Sequence, residues 1–84
     1  MMFQFPDTVR IIRLLAPTRD YDGTTSAARA PRVGDTGTVV HSSPERGQFL
    51  VKNVDENGAT VWLATFAAAE LELVHRASVP SPAI

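Results

Sequence analysis

Asn57-Gly58 stands between two runs rich in β-branched and aromatic residues, 48–54 (QFLVKNV) and 59–65 (ATVWLAT). An Asn-Gly pair in that setting is the strongest short-range signal for an antiparallel hairpin, because a type I′ turn needs positive φ at both central positions. The turn also sets the register, placing Asp55 opposite Thr60 and Asn53 opposite Trp62. One face then carries Phe49, Val51, Asn53, Thr60, Trp62, Ala64 and Phe66, and the other Leu50, Lys52, Val54, Val61, Leu63 and Thr65. The aromatic face is the expected core, since its rings bury the larger area. Leu50, Val54, Val61 and Leu63 are left as an apolar patch on the second face, and such a patch is expected to be a protein interface. Cover by the curl of the sheet and a long loop is the alternative, and the sequence leaves both open.

The rest of the chain supplies further short strands with turn residues between them. Residues 7–15 (DTVRIIRLL) read as a first strand, with a slip in alternation between Ile11 and Ile12 that predicts a bulge or a strand covered on both faces. Residues 16–32 hold Pro17, Gly23 and Pro31 and keep neither a helical nor a strand period, so they form a long loop of the kind that is often functional. A glycine turn at Gly34–Gly37 precedes a strand at 38–41, a Pro-Gly turn at 42–47 precedes the run at 48–54, and 66–70 (FAAAE) is long enough for one helical or 3₁₀ turn. Residues 71–75 close the fold, and 77–84, with Pro80 and Pro82, read as a flexible tail. The expectation is one all-β domain over residues 1–76: a five-stranded SH3-like barrel with a long loop after strand one and a helical turn before the last strand. An open OB-type barrel is the structural alternative.

Composition narrows the functional classes. Eighty-four residues suffice for a single domain, with a net stability on the order of 4–12 kcal/mol. Cysteine is absent, which excludes disulfides and thiolate metal sites and points to a reducing cytoplasm. No apolar run approaches the ~20 residues that span a bilayer, so no membrane partner is expected. Five arginines face three aspartates in residues 1–34 (net +2), whereas 35–84 hold three basic and six acidic residues (net −3). A nucleic-acid-binding domain is normally more basic than this.

No residue set points to catalysis, to a metal or to a cofactor, and none is expected. Glu70 and Glu72, two apart near the last strand, read as solvated surface acids, because nothing in the sequence signals the burial that general acid–base chemistry needs. His41 and His75 each end a strand and read as isolated surface histidines. Ser42 and Ser43 beside His41 read as turn residues, since neighbours on an extended chain point in opposite directions. Arg19, Arg29 and Arg32, in and around the long loop with Tyr21 as their aromatic neighbour, are the candidate nucleic-acid contacts.

Gly34-Asp35-Thr36-Gly37-Thr38-Val39-Val40, Phe49-Leu50-Val51-Lys52, Val54-Asp55-Glu56-Asn57-Gly58 with Thr60, and Glu70-Leu71 together resemble a bacterial family of small SH3-like domains. Asp7-Thr8-Val9 also looks similar, so the resemblance covers about two thirds of the chain. The glycine turn is similar to that of ribosome-associated KOW modules. The resemblance implies the fold and carries no activity with it. The chain departs from the family at Asn53 and Trp62, where an apolar and a small residue are usual; as cross-strand partners they conserve volume between them. The functional expectation is a small, non-catalytic, cytoplasmic interaction module that self-associates. A nucleic-acid-binding module is the alternative, and an enzyme whose site forms only at an oligomer interface is another.

Overall fold

The hairpin forms where Asn57-Gly58 places it, although by a different turn. In the computed structural model, which describes residues 3, 5–16, 19–24, 26 and 28–76, β3 (Gln48–Val54) and β4 (Thr60–Ala67) pair antiparallel with Asn53 opposite Trp62. The Asp55 N–H donates to the Ala59 carbonyl (2.9 Å) and the Gly58 N–H to the Asp55 carbonyl (3.0 Å), with Gly58 at φ +83°. The loop is therefore three residues long, and Asp55 faces Ala59 rather than Thr60. Its carboxylate favours this geometry by accepting the N–H groups of Asn57 (2.9 Å) and Ala59 (3.0 Å). A register shift at Asn53/Val54 takes up the difference and returns the aromatic residues to the expected face.

Three more strands complete a single antiparallel sheet: β1 (Thr8–Ile11), β2 (Thr36–Ser43) and β5 (Leu71–His75), in the order β4-β3-β2-β1-β5. A 3₁₀ turn (Ala68–Glu70) joins β4 to β5, and another (Pro44–Arg46) joins β2 to β3 through Gly47 at φ +64°. The fold is all-β. Its sheet is not closed, because β4 and β5 are the two edges and no ladder joins them. The hydrogen-bonded closure of the expected barrel is thus missing from the strand pairing.

The core lies mostly on the predicted face, and Val61, expected on the second face, is also a buried member of it. Phe49, Val51, Trp62, Ala64 and Phe66 pack with Phe3, Val9, Ile11, Val39 and Leu71. Edge-on ring contacts at 5.4 Å between centroids link Phe3 to Phe49 and Trp62 to Phe66. Each large side chain so buried contributes about 1.5–3 kcal/mol of transfer free energy. Gly37 lets β2 approach β3, since a Cβ there would lie 2.7 Å from Val51 Cγ1 and 2.8 Å from the Lys52 carbonyl.

Two predicted boundaries move for identifiable reasons. β1 ends at Ile11 instead of residue 15, because the Ile11 carbonyl accepts the Gly34 N–H (2.8 Å) and the Ile12 N–H turns to the Glu70 carbonyl (2.8 Å). β2 is twice as long as the four residues expected, and a register shift between Val39 and His41 keeps its inner face aligned. The long connection between β1 and β2 holds no helix or strand among the described residues, only an isolated bridge. The predicted tail, 77–84, lies outside the described residues.

Candidate functional site

The long connection lies along the outer side of β4. Asp22 and Leu63 exchange both backbone hydrogen bonds (3.0 and 2.8 Å), as an antiparallel strand pair would. The Thr24 N–H donates to the Thr60 carbonyl (2.9 Å), the Thr60 N–H donates to Thr24 Oγ1 (3.2 Å), and the Arg29 N–H donates to the Val61 carbonyl (3.3 Å). Arg19 Nη1 reaches the Thr65 carbonyl (2.7 Å). The described residues 19–24, 26, 28 and 29 thus act as a strap along the edge of β4 that bonds backbone groups of Thr60, Val61, Leu63 and Thr65. Gly23 makes the close approach possible, because a Cβ there would sit 2.8 Å from the Val61 carbonyl oxygen and 2.5 Å from Ala28 Cβ.

Two acid-centred clamps hold the ends of the strap. At one end Glu70, 3 % exposed, pairs with Arg19 through Nη2 to Oε2 and Nη1 to Oε1 (3.1 Å). Its carboxylate also accepts the N–H groups of Leu15 (2.8 Å) and Ala67 (2.9 Å), and the Arg19 guanidinium lies 4.5 Å from the centroid of the Phe66 ring. Burial alone pushes the Glu70 carboxyl up, but the hydrogen bonds from Arg19, Ala67 and Leu15 outweigh it and hold the group below its ordinary value.

At the other end Asp35 takes Arg29 in a two-point contact (2.7 and 3.1 Å), the Arg32 N–H (3.0 Å) and the Trp62 indole N–H (3.0 Å). Desolvation again raises the acid, and Arg29, the Arg32 amide, Trp62 and the charge of Arg29 together lower it below its usual range. The hydrogen bond to Asp35 raises the Arg29 guanidinium in turn. Both carboxylates are ionised acceptors surrounded by donors, an arrangement that fixes chain segments and does not favour giving up a proton.

The residues singled out in the sequence are therefore placed as follows. Arg19 and Arg29 commit their guanidinium groups to Glu70 and Asp35, and Arg32 alone of the three turns its side chain to solvent. Glu70 is a correction, being buried under a clamp where a solvated acid was expected, whereas Glu72 is exposed and pairs with Arg10 (2.9 Å). His41 and His75 are both exposed, on β2 and β5 with β1 between them. Among the described residues no three His, Cys, Asp or Glu side chains group as metal ligands. Within the apolar patch, Val61 is 9 % exposed, Leu50 and Leu63 are half-buried, and Val54 is 48 % exposed.

Sequence reasoning missed the strap and both clamps. It also missed Asp7, a fully buried acid whose Oδ2 lies 3.5 Å from Arg76 Nη2 and whose carbonyl accepts the Val39 N–H.

The opposite edge is different. Among the described residues β5 pairs with β1 alone, and a groove of about 580 Å³ runs beside it, lined by Phe3, Ala68, Ala69, Leu71, Glu72 and Leu73. The Arg10–Glu72 pairing and the Ile12-to-Glu70 bond turn the backbone groups of residues 70 and 72 towards β1. Alternation from residues 70 and 72 turns the N–H of Leu73 to the outer side, and a register shift follows between Leu73 and His75. No described helix is long and apolar enough to cross a membrane. Comparisons with protein-family models, curated proteins and solved structures gave no match for this chain.

Proposed function

We propose that the domain is a non-catalytic interaction module of the SH3-like barrel type, and that it self-associates through the β5 edge. The strand order β4-β3-β2-β1-β5, the long connection after β1 and the 3₁₀ turn before β5 support the fold reading. The observation that carries the functional reading is that, among the described residues, the outer edge of β5 has no strand against it and lies beside an apolar groove. Two copies related by a two-fold axis at Leu73 would each present the same outward backbone groups, and such a contact is self-complementary by symmetry. Burial of the groove residues Leu73 and Ala69, which keep exposed surface, from both copies adds apolar area to the added strand pairing.

The face carrying Leu50, Val54, Val61 and Leu63 is the competing surface, with Val54 as its exposed member. Sedimentation over a concentration series tests both. The reading expects a monomer–dimer equilibrium that Leu73→Lys abolishes and Val54→Lys leaves in place. A strict monomer at millimolar concentration overturns self-association, and a dimer sensitive only to Val54→Lys moves it to the other face. The nucleic-acid alternative has less to stand on, because two of its three candidate arginines are held by internal carboxylates.

A further inference from the structure

β4 reads Thr-Val-Trp-Leu-Ala-Thr-Phe-Ala, eight residues with no charge and no proline. A strand of that kind at a sheet edge is a template for pairing with another chain, and folded proteins normally blunt it with a charge, a proline, a short length or a cover. Here the first three devices are missing and the fourth is present. The cover imitates a strand only locally: Asp22 occupies the Leu63 backbone groups in antiparallel fashion, and the neighbouring contacts at Thr60, Val61 and Thr65 come from scattered amides, one hydroxyl and one guanidinium.

We propose that β4 is a guarded pairing edge whose occupant, once the strap lifts, is the β4 edge of a second copy of this chain. Three observations carry this. Leu63 already presents both backbone groups outward in the geometry that an antiparallel partner uses, so two copies meet Leu63 to Leu63 about a two-fold axis. The strap is fastened by ion pairs at its two ends alone, Arg19 on Glu70 and Arg29 on Asp35, and between them by the hydrogen bonds of Asp22 to Leu63 and Thr24 to Thr60. Its middle rests on a glycine whose replacement meets the Val61 carbonyl oxygen, so the strap has almost no spare room against the edge. The association is distinct from that at β5 because it uses the opposite end of the sheet.

The test uses the full chain carrying Leu73→Lys, so that pairing through β5 does not enter. Two strap-lifting substitutions are added separately: Gly23→Val, which displaces the middle of the strap and leaves both clamps intact, and Arg29→Ala, which opens the Asp35 clamp. Amide exchange is read at Leu63, with Val39 and Val51 as core reporters, and mass is read by sedimentation. The expected result is an increase of at least about tenfold in Leu63 exchange in dilute solution with the core reporters unchanged, and a shift from monomer to dimer as concentration rises. Adding Thr65→Lys, which places a charge on the bared edge, should return the protein to monomer. The proposal is overturned if Leu63 stays protected in both variants, if it opens and the chain remains monomeric, or if Thr65→Lys leaves the dimer intact.

Discussion

β4 runs eight residues without a charge or proline and is covered along its outer side by the strap, whereas β5 runs five residues, carries Glu72 and is followed by Arg76, and has no described strand against it beyond β1. The same physical problem, unpaired backbone groups at a sheet edge, is met by a cover at one end and by shortness and charge at the other. The difference explains the length of the connection between β1 and β2. It also explains why two carboxylates lie under arginines in a domain this small: the cover has a single bridge in place of a strand ladder, and Glu70 and Asp35 add to the bonds of Asp22 and Thr24 in holding it.

The largest break in this comparison should come from the Glu70 clamp. Arg19→Ala leaves a carboxylate that is 3 % exposed without its cation, and loss of one partner from such a buried pair costs about 3 kcal/mol or more. Urea unfolding should show that loss, a large share of the stability of a domain this size. Trp62→Phe keeps most of the core volume and removes the indole N–H from Asp35, with an expected cost of about 1–2 kcal/mol by the same measurement. Arg10→Ala beside β5 breaks a pair whose side chains are 45 % and 46 % exposed, and should change stability by less than about 1 kcal/mol.

Acid separates the two edges in another way. Asp35 and Glu70 are both held below their ordinary values, Asp35 by Arg29, the Arg32 amide and Trp62, and Glu70 by Arg19 and the amides of Ala67 and Leu15. Their contribution is complete above the ordinary carboxylate pKa of about 4 and is lost as pH falls through the lowered values. Urea midpoints measured at pH 7 and at pH 2.5 should drop in the acid. The drop should be smaller in Glu70→Gln, which has one fewer lowered carboxyl to protonate.

The hairpin was legible in the sequence because its signals are local. Asn57-Gly58 and the alternation on either side predict which residues of β3 and β4 face inward, even though Asp55 builds a longer turn. The strap was not legible, because its bonds run from residues 19–29 to residues 60–65 and involve backbone groups that carry no composition signal. Glu70 was read as exposed for a related reason. Its partner Arg19 is 51 positions away, and only the amide of Ala67, three positions before it, is a local contact. Trp62 did offer a hint, since a buried indole N–H needs an acceptor, but nothing in the sequence says that the acceptor is Asp35. The uncharged run of β4 offered another, since an edge of that composition calls for a cover.

Amide exchange at Leu63 and Leu73, measured side by side in dilute wild-type protein, tests the contrast most directly. The Leu63 N–H donates to the Asp22 carbonyl at 2.8 Å, whereas alternation along β5 turns the Leu73 N–H away from β1. Leu63 should exchange at least about a hundredfold more slowly than Leu73 after correction for intrinsic rates. Equal rates at the two positions would contradict the account, because the β4 edge would then be no better covered than the β5 edge.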